Sequence, residues 1–333
     1  MLLSLRCRLA GISLLIISAV LASVSRAEEA APSSGELTQP AVAGTPANAN
    51  DETPATGPAF EIVTLRDGLQ VLLGGGGNTA VWSGADGVVL VDDKLGSVTA
   101  ELLETVNRIA PGGIRFVINT HWHSDHTGAN EPIGRSGGVI IAHENVRARM
   151  SSDQFIAVMQ RQVPASDPAA LPIVTFADAV TMYLNGDRLD VIHLADAHTD
   201  GDAVLWWRDA NIVHVGDIFR NGSYPYIDTS SGGSLAGLVA ALEVVLARAD
   251  ERTVIIPGHG PIATRADLAA YRDMVVEIGR KVREMIEQGR SLEEILAAGP
   301  AADYDEQYAG SFMPAEMFIG ILYEDLTSRP PGP

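Results

Sequence analysis

Thiols are nearly missing from this chain of 333 residues, in which Cys7 is the one cysteine. With no second thiol there is no disulfide framework and no cysteine-built metal cage, and a thiolate nucleophile is excluded from everything after residue 7. Basic residues are also scarce. The 23 Lys and Arg face 42 Asp and Glu, for a formal net charge of -19, so neither nucleic acid nor an anionic membrane surface suits this chain as a partner. Aromatic residues make up only 5% of the chain, and no internal repeat is visible. After about Val24 no apolar run is long enough to span a bilayer. A small-molecule substrate fits such a composition better than a polyanion does, and nothing in it fixes an oligomeric state.

The amino terminus has a different character from the rest. Met1 to Arg8 carries Arg6 and Arg8 as its only charges, an apolar run extends from Leu9 to about Val24, and Ser25-Arg26-Ala27 offers small residues for cleavage. This predicts a secretory signal peptide over residues 1–27, and hence a secreted or periplasmic mature chain with no stable membrane insertion after cleavage. Residues 28–58 are rich in Ala, Pro, Thr, Ser, Gly and Asn, which predicts a disordered linker. Residues 59–333 are long enough for one large domain.

Within that domain the apolar pattern first has the period of strands. Phe60 to Leu65 and Leu69 to Leu73 flank Arg66-Asp67-Gly68 as a hairpin, and Thr79 to Trp82 and Val88 to Val91 make a second pair. Val98 to Ile109 has helical spacing with Ser97 as its expected cap. Ile114 to Ile118 and Gly138 to Ala142 are expected strands, and Glu144 to Arg161 a broken helix. Further strands are expected at 174–176, 179–183, 190–193, 203–207, 212–215 and 253–256, with helices over 234–249, 265–288, 291–298 and 314–326. Hairpins first, then helices alternating with strands, predict an α+β fold of two sheets with helices packed outside them.

The densest chemistry lies just past the expected strand Ile114 to Ile118, in His121-Trp122-His123-Ser124-Asp125-His126. Residues two apart in extended chain point the same way, so His121 and His123 can grip one ion while the turn that follows offers Asp125 and His126 elsewhere. Imidazole and carboxylate are the ligands of zinc sites that keep a position open for water, although iron and manganese accept them too. Three more candidates follow other strand ends: His198 in Ala197-His198-Thr199, Asp217 in Val215-Gly216-Asp217, and His259 in Gly258-His259-Gly260. His143, His193 and His214 are left for hydrogen-bonded structural roles. Asp92 and Asp93, after Val91, include a candidate for orienting a ligand histidine from behind. Trp122, Asn221, Tyr224 and Tyr226 adjoin ligands in sequence and are candidate substrate-binding residues.

The series HxHxDH, then a lone His, a lone Asp and a last His resembles the metallo-β-lactamase superfamily over roughly residues 60 to 260. The resemblance implies a four-layer αββα sandwich carrying two Zn²⁺ ions at one edge of its sheets. It implies that His121, His123 and His198 hold one ion, that Asp125, His126 and His259 hold the other, and that Asp217 bridges them. Asp217 stands where lactamases with a cysteine ligand carry a thiol, which brings the chain closer to glyoxalase II and lactonases. His123 stands where flavodiiron proteins carry Glu. The expected activity is hydrolysis of an acyl bond, in an ester, lactone, thioester or lactam, by a metal-bound hydroxide held near the catalytic candidates Asp125 and Asp217. A true β-lactamase and a non-catalytic periplasmic zinc-binding accessory protein are the alternatives.

Overall fold

The computed structural model describes residues 60–310 and 312–328; the segments read above as signal peptide (1–27) and linker (28–58) lie outside them. One sheet has seven strands in the spatial order β1 (Glu61–Arg66), β2 (Leu69–Leu73), β3 (Thr79–Gly84), β4 (Gly87–Val91), β5 (Ile114–Ile118), β6 (Val139–His143) and, after a separate hairpin of β7 (Gln154–Ile156) and β8 (Arg161–Val163), β9 (Val174–Phe176). Its first four strands form an antiparallel meander and the rest run parallel. The other sheet has five strands, β10 (Ala179–Leu184), β11 (Asp187–His193), β12 (Ala203–Trp207), β13 (Ile212–His214) and β14 (Val254–Ile256), antiparallel except for the last pair.

Side chains alternate across a strand, so a strand apolar on both faces is covered on both. In β4, Val89 and Val91 join Trp82, Leu205 and Trp207 in the interior between the sheets, whereas Val88 and Leu90 pack under Leu102 and Val106. The latter two lie on α1 (Thr99–Ile109), with Ile133 of α2 (Asn130–Arg135) in the same cluster. Trp82 and Trp207 meet edge to face across the two sheets, ring centroids 6.0 Å apart. In β12 the parity is the same: Leu205 faces the first sheet, while Val204 and Trp206 belong to the outer core. That core is closed by α4 (Leu235–Arg248), α5 (Arg265–Glu287) and α8 (Ala315–Ser328), while the shorter α3 (Glu144–Met150) adds Val146 and Met150 to it, α6 (Leu292–Ala298) adds Ile295 and α7 (Asp305–Tyr308) adds Tyr308. The result is the αββα sandwich. No described helix is long and apolar enough to cross a membrane.

Two local expectations are corrected. The helix expected over Glu144 to Arg161 stops at Met150, because the Ser151 and Ser152 hydroxyls turn back onto the Ala148 carbonyl; its second half is the β7–β8 hairpin, anchored by the buried Ile156 and by Ala157 N–H donating to Ser230 Oγ. Ser97 does not cap α1. It lies inside a 3₁₀ turn, Gly96–Val98, and the helix begins without a side-chain cap.

Candidate metal centre

Strand ends converge on one edge of the sandwich. The loop after β5 carries His121, His123, Asp125 and His126; the loop after β11 carries His198; Asp217 follows β13 and His259 follows β14. The structure thus brings all seven candidate ligands together. His121, His123 and His198 form one cluster, His121, His126 and Asp217 a second, and Asp125, His126 and His259 a third, with the ligand atoms of each within 4.8 Å of one another.

Each imidazole of the first cluster has its far nitrogen occupied. His198 Nδ1–H donates to the Tyr226 carbonyl (2.6 Å), and His123 Nε2–H donates to Asp228 Oδ2 (3.0 Å). His121 Nδ1–H donates to Thr120 Oγ1 (3.0 Å), whose own hydroxyl donates to Asp92 Oδ2 (2.8 Å). With those protons outside, the inward nitrogens are bare lone pairs. His198 Nε2 and His123 Nδ1 lie 2.9 Å apart with no proton to share, and His121 Nε2 is buried with no hydrogen-bond partner. Burial, and then the neighbouring imidazoles, hold His121 and His198 below the ordinary histidine range, so they stay neutral. Lone pairs facing one another in a dry site repel unless a cation lies among them, and neutral imidazole is the form that binds one. The donor set therefore fits a metal ion.

The second half of the site is charged. His126 Nδ1–H donates to Asp92 Oδ2 (2.7 Å), and its Nε2 lies 3.1 Å from Asp217 Oδ1, 3.2 Å from His259 Nε2 and 3.6 Å from Asp125 Oδ2. Burial pulls His126 down, but Asp217, Asp125 and Asp92 outweigh it and hold the imidazole well above its usual range. A proton thus sits where a cation would replace it. Against burial, His126 and His259 hold Asp125 well below the usual carboxylate range; His259, His126 and Arg220 do the same for Asp217. Arg220 Nη1 donates to Asp217 Oδ2 (2.8 Å) and stacks on Phe312, 4.5 Å away. The open side is that of Asp125 and His259, whose side chains are 29% and 20% exposed.

Asp92 is the carboxylate behind the ligands that the sequence indicated. It also accepts the Thr120 backbone N–H (2.7 Å), and the chain reaches it through left-handed backbone at Asp92 and Lys94, φ 59° and 71°, a strain of about 1–3 kcal/mol per residue that surrounding contacts must hold in place. Lys94 is fully buried, donates to the Leu72 and Gly77 carbonyls, and is pulled down by burial to about 7. Gly77 leaves room for the His126 ring, since a Cβ there would lie 2.1 Å from His126 Cε1, too close unless the ring shifts. His143, His193 and His214 are hydrogen-bonded to the backbone carbonyls of Ala177, Asp202 and Asn78 and belong to none of the three clusters.

The substrate-binding candidates are placed differently. Trp122 and Tyr224 are buried in the outer core, and the Tyr224 hydroxyl donates to Asp305 Oδ1 (2.7 Å), so neither faces an open site. Tyr226 is buried against the His123 ring and serves through its carbonyl on His198. Asn221 is half-buried, with its backbone N–H on the His259 carbonyl and its side chain on Pro261 O. Adjacency to a ligand did not decide direction, because successive residues of an extended loop point to opposite sides. Sequence reasoning missed Asp228, whose only signal is one acid followed by three hydroxyl residues, and Asp202. The Asp202 carboxylate, raised by burial to about 6, accepts the N–H groups of His198 and Thr199 and fixes that loop.

The family model described as the metallo-beta-lactamase superfamily matches residues 72–259. The chain is 22% identical over 202 residues to a metallo-beta-lactamase type 2 of Bacillus cereus, covering 60% of this chain and 72% of that protein. To a hydroxyacylglutathione hydrolase of Polaromonas sp. it is 28% identical over 167 residues, 50% of this chain and 56% of that one. Among solved structures, a metallo-beta-lactamase from Pontibacter korlensis superposes with a TM-score of 0.53 at 19% identity, covering 65% of this chain and 99% of that one. A sec-alkylsulfatase from Pseudomonas sp. gives 0.57 at 14% identity, with 80% of this chain covering half of the sulfatase. These structures share the fold.

Proposed function

Starting from the finding that the chain belongs to the metallo-beta-lactamase superfamily, we propose that it is an exported hydrolase that uses two zinc ions to cleave an acyl bond in an ester, lactone, thioester or lactam. The observation that carries this is the convergence of bare imidazole nitrogens, His198 Nε2 and His123 Nδ1 at 2.9 Å with His121 Nε2 beside them, on the carboxylates of Asp125 and Asp217. His121, His123 and His198 would hold one ion, Asp125, His126 and His259 the other, with Asp217 between. When bound, such a pair supplies a Lewis acid and lowers the pKa of water toward about 7.

The residues of the chain do the rest. Asp92, Asp228 and the Tyr226 carbonyl fix the tautomer and direction of His126, His123 and His198, so the ligand set is built before the substrate arrives. Asp125 and Asp217 are held ionised and can accept or orient a proton at their carboxylate oxygens, Asp125 from the open side and Asp217 from the buried side. Burial of His121, His126 and His198 excludes water from behind the reacting group.

The similarity to the Bacillus cereus lactamase favours a lactam as a second reading. Elemental analysis beside a screen of esters, lactones and nitrocefin tests both readings. Near two zinc per chain with ester or lactone turnover supports the proposal, and nitrocefin turnover selects the lactamase reading. Tight metal with a silent panel overturns catalysis in favour of an accessory zinc-binding role. His123→Ala or Asp125→Ala should lose metal or nearly all turnover.

A further inference from the structure

The β7–β8 hairpin, which the sequence did not reveal, lies at the rim of the metal centre and is tied to it twice. Ala157 N–H donates to Ser230 Oγ, the Ser230 hydroxyl donates to Asp228, and Asp228 holds His123. At the other end of the hairpin, Arg161 Nη2 donates to the hydroxyl of Ser124, the residue between His123 and Asp125 (3.2 Å). Its charge also reaches Tyr226, beside His123, where it opposes the burial that pushes that hydroxyl up.

Arg161 is half-buried, and no carboxylate among the described residues pairs with it. That is unusual in its surroundings. Nearby Arg149 is taken by Asp200 (2.6 Å) and Arg220 by Asp217 (2.8 Å), and the chain as a whole has nearly twice as many acids as bases. A guanidinium has five N–H donors, and here one is engaged by a neutral hydroxyl. An arginine held beside a reactive centre with its fork free is suited to an oxyanion, which it binds through two parallel hydrogen bonds.

We propose that Arg161 selects substrates bearing an anionic group, a carboxylate or a sulfate, next to the bond that is cleaved. This deepens the hydrolase reading of the same site and rests on it. The hairpin carries the specificity, and the ligand loops carry the chemistry.

The test compares p-nitrophenyl acetate with the mono-p-nitrophenyl ester of succinate on the zinc-loaded protein and its Arg161→Ala and Arg161→Lys variants, beside calorimetric titration with succinate and with inorganic sulfate. In Arg161→Ala the ratio of kcat/KM for the anionic to the neutral ester should fall about tenfold, mostly through KM, with Arg161→Lys in between. Affinity for the preferred anion should fall by a similar factor, and whichever of the two the wild type binds more tightly names the group. Equal losses on both esters would mean that the hairpin is merely structural and would overturn the proposal, as would an unchanged ratio. If even the wild type turns over neither ester, the hydrolase reading fails for these substrates and the titrations decide alone: an anion affinity lost with Arg161 supports the site, and an unchanged one removes it.

Discussion

Replacing Asp92 should damage the candidate metal centre even though Asp92 belongs to none of its three ligand clusters. Its carboxylate accepts the Thr120 N–H at 2.7 Å, the Thr120 hydroxyl at 2.8 Å and His126 Nδ1–H at 2.7 Å, and through the Thr120 hydroxyl it also fixes His121. Removing one partner from a fully buried charged pair costs about 3–5 kcal/mol, against a total stability of about 5–15 kcal/mol for a domain. Asp92→Ala should therefore lower the urea midpoint sharply, and part of the population should be unfolded at 37 °C. Asp92→Asn separates orientation from packing. It keeps an acceptor for Thr120 N–H and tolerates the left-handed backbone, but it presents His126 with a neutral amide. Loss of such a partner typically weakens metal binding by about 10–100-fold. Zinc affinity is read by competition with a chromogenic chelator, and stability of the chelator-treated protein by urea titration. An Asp92→Asn variant that binds zinc as tightly as wild type would refute the view that this carboxylate sets His121 and His126.

Three further outcomes are expected. Gly77→Ala should release zinc, because its methyl group would displace the His126 ring; a wild-type zinc content by elemental analysis would contradict this. Tyr224→Phe should cost about 1–2 kcal/mol in urea denaturation, for the hydrogen bond to Asp305, and leave zinc content and KM alone; a change in KM would return Tyr224 to the substrate site. Burial pulls Lys94 in the folded chain down to about 7 from its ordinary value of 10.5, so above pH 7 the folded state holds fewer protons than the unfolded one and stability rises with pH through that window. The slope is about 1.4 kcal/mol per pH unit for one proton. Lys94→Met should remove that slope between pH 7 and 9, and parallel profiles for the two proteins would count against a neutral buried lysine.

Much of this architecture can be read along the chain because it is local. The hairpins around Asp67-Gly68 and Asp86-Gly87, the parity of Val88 to Val91 and the capped helix after Ser234 each depend on neighbours a few residues away. The ligand loop is legible for the same reason, since four metal-capable side chains fall within six residues. What was not legible depends on distant partners. Asp228 meets His123 across 105 residues of chain, and Arg161 meets Ser124 across 37. Trp122 and Tyr224 look like pocket residues until the helical layer that buries them is in place. The β7–β8 hairpin was hidden because three-residue strands leave too short a pattern to separate from a broken helix.

The seven candidate ligands are divided between the two sheets, four on the loop after β5 and three on loops after strands of the other sheet. An ion held by His123 and His198 would therefore join positions 75 residues apart, and it would act as a cross-link in a domain that has no thiol with which to make one. By the loop-closure relation used for disulfides, such a tie is worth roughly 4 kcal/mol. A chelator would then do more than silence the centre. It would unclasp the seam between the halves of the sandwich at that edge, exposing first to proteases the same loops that carry the chemistry.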